Sequence, residues 1–251
     1  MSGHSKWSKV KRFKGALDQK RGAVFSKLSK EISIAAKSGG GDPDGNARLR
    51  SAIQAARDAS MPNDNVERAI KRGIGEGPDA AHFEEIVYEG YAAGGVALIV
   101  DAATDNKNRT AAELRSIFTK NHGNLATSGS VSYMFHRKGQ IGVPRASIEE
   151  DRLLELVLEA GGEELTTEEE AYVIQTAPDQ LYAVAEALKN AGVTTDGQKF
   201  TFIPETTISV GDETVAQQVL RLCDALEDDD DVQNVYSNLE ISDEVLAKLP
   251  A

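Results

Sequence analysis

Hydrophobic residues recur at helical spacing in the first third of the chain and at strand spacing after it. Between Arg21 and Lys37, six apolar side chains fall on one side of a helix drawn at 100° per residue, and three lysines fall on the other. Two shorter amphipathic helices are predicted at 45–59 and 64–72, with a break at Met61-Pro62. Three such helices predict a small bundle.

Beyond residue 80 the pattern is that of a mixed α and β chain. Short β-prone runs, Gly129–Phe135 among them, alternate with helical segments. From Gln140 to Ile203 the predicted order is β-α-β-β-α-β, the order of a ferredoxin-like unit. The elements on either side of this unit can complete a second one. The predicted fold class is α+β: an N-terminal helical bundle followed by two ferredoxin-like α/β domains, the outer inserted in the middle one.

These patterns set the predicted domain boundaries. A basic helical bundle covers 1–75, a middle α+β domain covers 80–137 plus 205–240, and the inserted ferredoxin-like domain covers 138–204. The glycines of the linker at 73–78 resemble a phosphate-binding loop. They follow a helix instead of a strand, however, which is the wrong context for a dinucleotide site.

Charge is distributed very unevenly along the chain. The net charge is −12, but residues 1–75 carry +9, residues 76–138 carry −2 and residues 139–251 carry −19. A basic end on an acidic chain predicts a polyanion-binding region there, with the acidic end turned away from phosphate or facing a basic partner. The alternative is a basic surface that serves only solubility.

The most basic segment lies at the start of the chain, where Lys6 to Lys14 include five cations. A segment this polar is predicted to be a flexible arm that becomes ordered on a partner. Trp7 either stacks on a base or pins the arm to the bundle. The residues predicted to contact nucleic acid are Lys6, Trp7, Lys9, Lys11, Arg12, Lys14, Lys20, Arg21, Lys27, Lys30, Lys37, Lys107 and Arg109.

The last two of these residues belong to the loop Thr104–Thr110. The string from Thr110 to Glu113 reads as a capping box that opens a helix. Helix N-termini attract phosphate, so Lys107 and Arg109 are candidates for contacts to a nucleic-acid backbone. In the alternative interpretation, the polar residues of this loop only cap the helix and shape the turn.

Residues for catalysis, metals or cofactors are not indicated by the sequence. The four histidines lack metal-ligand spacing, and Cys223 is predicted to be a buried thiol. Neither a nucleophile elbow nor a Walker A loop occurs, so the chain is predicted not to be an enzyme and to need no cofactor or small-molecule substrate. The run Asp228–Asp231 either binds cations or is a solvated loop; it lacks the spacing of an EF-hand.

The sequence also predicts the cellular compartment of the protein. No stretch approaches the roughly 20 apolar residues of a membrane span. The basic N-terminus is not followed by the apolar segment of a secretory signal. A single cysteine leaves no internal disulfide and suits a reducing compartment. We therefore expect a cytoplasmic protein without a membrane partner.

Several short strings in a fixed order resemble a known family. They are Gly3-His4-Ser5-Lys6-Trp7, Asp18-Gln19-Lys20-Arg21-Gly22, Phe25-Ser26-Lys27-Leu28, Gly39-Gly40-Gly41-Asp42-Pro43, Asn46, Leu49-Arg50, Met61-Pro62, Tyr88-Glu89-Gly90-Tyr91, Thr104-Asp105-Asn106-Lys107-Asn108-Arg109-Thr110 and Gly129-Ser130-Val131. Together they resemble the YebC/PmpR family over nearly the whole chain. The resemblance implies three domains and a nucleic-acid partner. It implies either promoter-DNA-binding transcriptional regulation or translational activation, including help for ribosomes on proline-rich stretches.

Three functional hypotheses follow, in this order of preference. The first is a translation factor that binds ribosomal RNA, because structured RNA is read by shape and backbone and needs no base-reading helix. The second is a promoter-DNA-binding transcription regulator, although no clear helix-turn-helix signature is present. The third is a metabolite-sensing or protein-interaction module, which rests on analogy at the level of the fold alone.

Overall fold

The computed structural model describes residues 21–76 and 83–246. The predicted arm, with every candidate from Lys6 to Lys20, lies outside the described residues. The chain divides into two compact units. One comprises His136–Ile203; the other combines the described residues up to Phe135 with those from Pro204 onward.

The elements are named here in chain order. The helices are α1 (Arg21–Gly39), α2 (Ala47–Asp58), α3 (Asn63–Gly73), α4 (Lys107–Lys120), α5 (Glu150–Ala160), α6 (Leu181–Asn190), α7 (Glu213–Glu227) and α8 (Asp243–Leu246). The strands are β1 (Glu84–Tyr91), β2 (Ala97–Thr104), β3 (Asn124–Leu125), β4 (Phe135–Pro144), β5 (Glu164–Thr167), β6 (Ala171–Thr176), β7 (Gly197–Pro204), β8 (Ile208–Val210), β9 (Val232–Ser237) and β10 (Leu239–Ile241). None of the helices within the described ranges has the length and apolarity that crossing a bilayer requires.

Helices α1, α2 and α3 enclose a small apolar core of their own. Asn46 caps α2 by accepting a hydrogen bond from the Leu49 amide, and its own amide group donates to the carbonyl of Ala35 in α1. Helices α1 and α3 approach so closely that a methyl group on Gly73 would lie 2.3 Å from the Ser33 carbonyl oxygen. A glycine is therefore required at this crossing.

The middle sheet has the strand order β3-β1-β2-β9, and β8 and β10 form a separate parallel pair. The core of the middle domain includes the buried side chains of β2 and the apolar faces of α4 and α7, for example Leu98, Leu114 and Leu220. Strands β1 and β2 form a tight antiparallel hairpin instead of being joined by a helix. The sequence predicts this hairpin, with its turn at 92–95. The hairpin departs from the β-α-β start of a ferredoxin-like unit.

The inserted unit runs β4-α5-β5-β6-α6-β7, and its sheet has the order β5-β6-β4-β7. This is the β-α-β-β-α-β order expected from the sequence. Its two ends meet in the larger unit, where the Glu205 amide donates to the Met134 carbonyl at 2.8 Å. The predicted class, an α+β chain with N-terminal helices followed by antiparallel-sheet domains, is confirmed.

Candidate nucleic-acid interface

A buried carboxylate connects α1 with the start of α4. Asp231, in the loop between α7 and β9, has a side chain that is only 6% exposed. Its Oδ1 accepts a hydrogen bond from Lys30 Nζ at 2.6 Å. Its Oδ2 accepts from Arg109 Nη2 and Thr110 Oγ1, each at 2.7 Å, and from Thr104 Oγ1 at 3.1 Å. One carboxylate thus joins side chains from three separate parts of the chain.

These contacts fix the ionisation of Asp231. Burial alone would raise the pKa of this carboxyl group. The hydrogen bonds from Arg109, Lys30 and Thr110 outweigh burial and hold the pKa well below its usual range. Asp231 is therefore ionised at neutral pH, and its charge is balanced by two cations that were predicted to bind nucleic acid.

The acidic loop, Asp228–Asp231, and the last residue of α7 also bind α1 through their backbone carbonyls. Lys27 Nζ donates to the Glu227 carbonyl at 2.6 Å, and Lys30 Nζ donates to the Asp230 carbonyl at 2.6 Å. The Asp231 amide donates to Asp229 Oδ1, which stabilises the turn. The prediction of a solvated loop is therefore wrong for Asp231, because this residue is buried and paired with Lys30 of α1.

An open cleft of about 480 Å³ lies beside this cluster, bordered by Lys30, Arg109 and the carboxylates of the acidic loop. Glu113, Asp229 and Asp231 each place one carboxylate oxygen within 4.8 Å of the others. Oxygen ligands of this kind suit Ca²⁺ or Mg²⁺. A cation here would have to compete with Lys30 and Arg109 for Asp231, whose charge they already balance.

Two more of the predicted cations, Lys37 and Lys107, also contact the protein itself. Lys37 Nζ donates to the Phe83 carbonyl at 3.3 Å, and Lys107 Nζ lies 2.5 Å from Glu84 Oε2. Lys107 keeps 60% of its side chain exposed, whereas Lys30 keeps only 11%. Arg21 is the first residue of α1. The lysine-bearing side of α1 was predicted to face phosphates, and at Lys27 and Lys30 it faces the acidic loop.

The predicted capping box at Thr110 is wrong. Helix α4 begins three residues earlier, at Lys107, and its cap is Asn106, whose side chain accepts from the Arg109 amide at 3.2 Å. Arg109 itself binds Asp231 and Asp105. The polar residues of this loop therefore cap the helix and shape the turn, which was the alternative interpretation.

Sequence reasoning missed a second ion-pair cluster between the helices and the sheet. Arg48 of α2 binds Glu31 of α1 at 2.8 Å and Glu85 of β1 at 2.5 Å. Burial would lower the pKa of Arg48, but the two carboxylates outweigh this effect and raise that pKa. The partners are 17 and 37 residues away in sequence, so no local signal could have identified them.

A buried carboxylate also organises the loop that follows β3. Glu89 is 4% exposed and accepts hydrogen bonds from the amides of Gly129, Val131 and Ser132 at 2.7 to 2.9 Å. Burial would raise the pKa of Glu89, but the three amides lower it overall. The contact joins two of the strings that carried the family resemblance, although no local pattern in either string indicates that they touch.

Replacing Glu89 with Gln is expected to reduce the free energy of unfolding by about 1–3 kcal/mol at neutral pH, because the amides lose an ionised acceptor. Since the folded pKa is lowered, the contribution of Glu89 is complete above its unfolded pKa of about 4.3 and is lost as pH falls through the folded value. The difference between variant and wild type should therefore shrink in acid. Urea titrations across this range would measure it, with Glu67→Gln on the exposed side of α3 as control.

The surplus positive charge of the N-terminal region can now be located. Residues 1–20 carry six Lys and Arg against one Asp, a net of +5. Residues 21–75 carry ten against six, a net of +4. In that second segment Lys27, Lys30, Lys37 and Arg48 all bind other parts of the protein. Four of the ten cations in residues 21–75 are thus engaged within the protein.

Comparisons with known proteins agree over the whole chain. Residues 5–76 match the TACO1/YebC protein N-terminal domain, and residues 83–239 match the TACO1/YebC second and third domain. A Chlorobaculum tepidum protein is 53% identical, and one from Rubrobacter xylanophilus is 50% identical; each alignment covers 99% of both chains. Both relatives are named probable transcriptional regulatory protein. A crystal structure of a conserved hypothetical protein from Aquifex aeolicus is 49% identical, with a TM-score of 0.82, over 91% of this chain and 94% of that one.

Proposed function

The chain belongs to the TACO1/YebC family, and from this premise we propose that it is a nucleic-acid-binding regulator of gene expression that acts on RNA. Its proposed role is that of a cytoplasmic translation factor, which contacts ribosomal RNA and aids the synthesis of particular proteins, such as proline-rich ones. It would work by binding and not by catalysis.

The observation that carries this proposal is the concentration of positive charge in the first 20 residues, which carry a net of +5. The five cations from Lys6 to Lys14 fall within nine residues, with Trp7 among them. Such a segment neutralises phosphates and can stack on an unpaired base. Residues 76–138 and 139–251 carry −2 and −19 and would be repelled by RNA, so the basic N-terminal region should be the part that meets the backbone.

Promoter DNA is the second candidate partner, and the names of the relatives, as probable transcriptional regulatory proteins, favour it. Phosphate contacts by a basic arm serve duplex DNA as well as RNA, so charge alone does not separate the two. A sequence-specific regulator, however, also needs contacts to base edges.

Crosslinking in cells, followed by sequencing of both bound RNA and bound DNA, tests the proposal. Wild type is compared with a variant that lacks residues 2–14. We expect crosslinks to ribosomal RNA that are lost with the arm. Enrichment at promoters would replace the RNA proposal with the DNA one. Absence of both signals would overturn the nucleic-acid role and favour an interaction module.

A further inference from the structure

Helix α5 of the inserted unit carries two exposed leucines side by side. Leu158 keeps 64% of its surface exposed, and Leu154 keeps 42%. They lie four residues apart, so they are neighbours on one face of the helix. Of the five large hydrophobic side chains that are exposed in the described residues, two form this pair. Single exposed apolar side chains need no explanation, but an adjacent pair forms a candidate contact surface.

The opposite face of α5 anchors the helix. Leu153 and Val157 are fully or almost fully buried and belong to the core of the inserted unit. Gly161, with a φ of 88°, ends the helix, and its amide donates to the Leu158 carbonyl at 3.2 Å. The exposed leucines therefore lie on a helix that is already fixed in place. A partner that binds them has little backbone to order, which favours binding.

Carboxylates lie beside the leucine pair. Helix α5 contains four Asp and Glu and one Arg, a net of −3. At 100° per residue, Asp151 and Glu155 fall in the same sector of about 100° as the two leucines. We call these four residues the α5 face. Arg152 pairs with Glu155 at 2.8 Å, but the two side chains are 61% and 66% exposed. Such a surface pair is weak and is readily exchanged for the cation of a partner.

The whole inserted unit has the same sign of charge as the α5 face. From His136 to Ile203 it contains 13 Asp and Glu against 6 Lys and Arg, a net of −7. RNA and anionic membrane surfaces would be repelled by this charge. A second copy docked symmetrically on the same face would bring like carboxylates together. Charge complementarity therefore selects a partner that has positive charge around an apolar centre.

We propose that the α5 face binds a basic amphipathic segment of another protein. Two apolar side chains of that segment pack on the leucines, and flanking Lys or Arg side chains pair with Asp151 and Glu155. An amphipathic helix with apolar residues at i and i+4 has this pattern. The last turn of α5 contains no basic residue, so the negative end of its helix dipole adds to the attraction. This contact does not depend on RNA binding by the arm.

Binding of the full-length protein to a fluorescent synthetic peptide tests the apolar half of the proposal. The peptide, of about 15 residues or about four helical turns, has leucines at i and i+4 and lysines on either side. Changing Leu154 and Leu158 together to Ala is expected to weaken binding roughly 10- to 100-fold, because each buried methylene contributes about fourfold to affinity. Leu158→Met keeps a similar apolar volume and should stay within about threefold of wild type. Val87→Ala, at an exposed apolar side chain of β1, should change nothing.

Charge variants test the polar half. Asp151→Asn with Glu155→Gln should weaken peptide binding roughly 3- to 10-fold at low salt, and the difference should fade at high salt. The matched control is Glu169→Gln with Glu170→Gln, which removes two exposed carboxylates between β5 and β6 of the same unit. This control should stay within about twofold of wild type. Equal losses in the two double variants would mean that general acidity attracts the peptide, and the α5 face would then be the wrong assignment.

Crosslinking in cells tests the contact with a natural partner. A photoreactive phenylalanine analogue at position 158 should crosslink to a protein segment of net positive charge. The crosslink should weaken when Asp151→Asn and Glu155→Gln are added. Crosslinks to RNA, to a second copy of this chain or to an acidic segment would each overturn the proposal. The arm is unchanged in every one of these variants, so failure here leaves the RNA hypothesis untouched.

Discussion

Replacing Asp231 with Asn is expected to lower the free energy of unfolding by about 3 kcal/mol, the lower end of the range for breaking a buried ion pair. The lower end applies because Arg109 is 43% exposed and can be rehydrated, whereas Lys30, at 11%, cannot. For a protein of this size the melting temperature should fall by about 6–12 °C. Thermal and urea unfolding measured by circular dichroism would quantify both effects.

Two further variants identify the cause of this loss. Asp230→Ala removes the neighbouring exposed carboxylate and should stay within about 0.5 kcal/mol of wild type. Combining Asp231→Asn with Lys30→Met removes both charges, so the double variant should recover part of the stability lost by the single one. A single variant as stable as wild type would show that the ion pair does not hold α1 to the acidic loop.

Neutralising the basic arm is expected to have the largest effect on nucleic-acid binding. Changing Lys6, Lys9, Lys11, Arg12 and Lys14 together to Ala should reduce affinity for single-stranded RNA by about 100-fold or more at low salt. The slope of log affinity against log salt should fall by about 3.5, because each lost phosphate contact contributes about 0.7. Fluorescence anisotropy over a salt series measures both quantities.

The matched control removes cations from the acidic inserted unit. Arg152 and Lys189 are exposed there, and changing both to Ala should leave affinity and salt slope unchanged. Charge reversal at Lys27 and Lys30 is a poorer test, since it would also disrupt their contacts with the acidic loop. An unchanged salt slope in the arm variant would contradict the arm hypothesis.

Hydrophobic periodicity was sufficient to predict most helices and strands, because each buries one face. It failed at Gly129–Phe135, which was predicted to be a strand. There the amides of Gly129, Val131 and Ser132 bind Glu89 instead of a neighbouring strand. A carboxylate 40 residues away determines the local backbone, and no pattern within the segment encodes that contact.

The site was harder to predict than the fold, for a related reason. The sequence correctly separates the apolar and charged sides of α1, but a lysine directed at a phosphate and one directed at a protein carboxylate look identical in sequence. Lys30 and its partner Asp231 are 201 residues apart. Only the folded chain identifies the partner, so the sequence overestimated how many cations are left for RNA.

The inserted unit has a consequence for how the chain can fold. Its two ends are held side by side by the bond between Glu205 and Met134. If the insert folds first, the larger unit has to close a gap of only a few residues, however many residues the insert contains. The entropy cost of closing a loop rises only with the logarithm of its length. An insert that has already folded removes most of this small cost, because its two ends are already close together. The first and last strands of the insert, β4 and β7, are neighbours in its sheet. A folded insert therefore brings together the two chain segments of the larger unit that it separates in sequence.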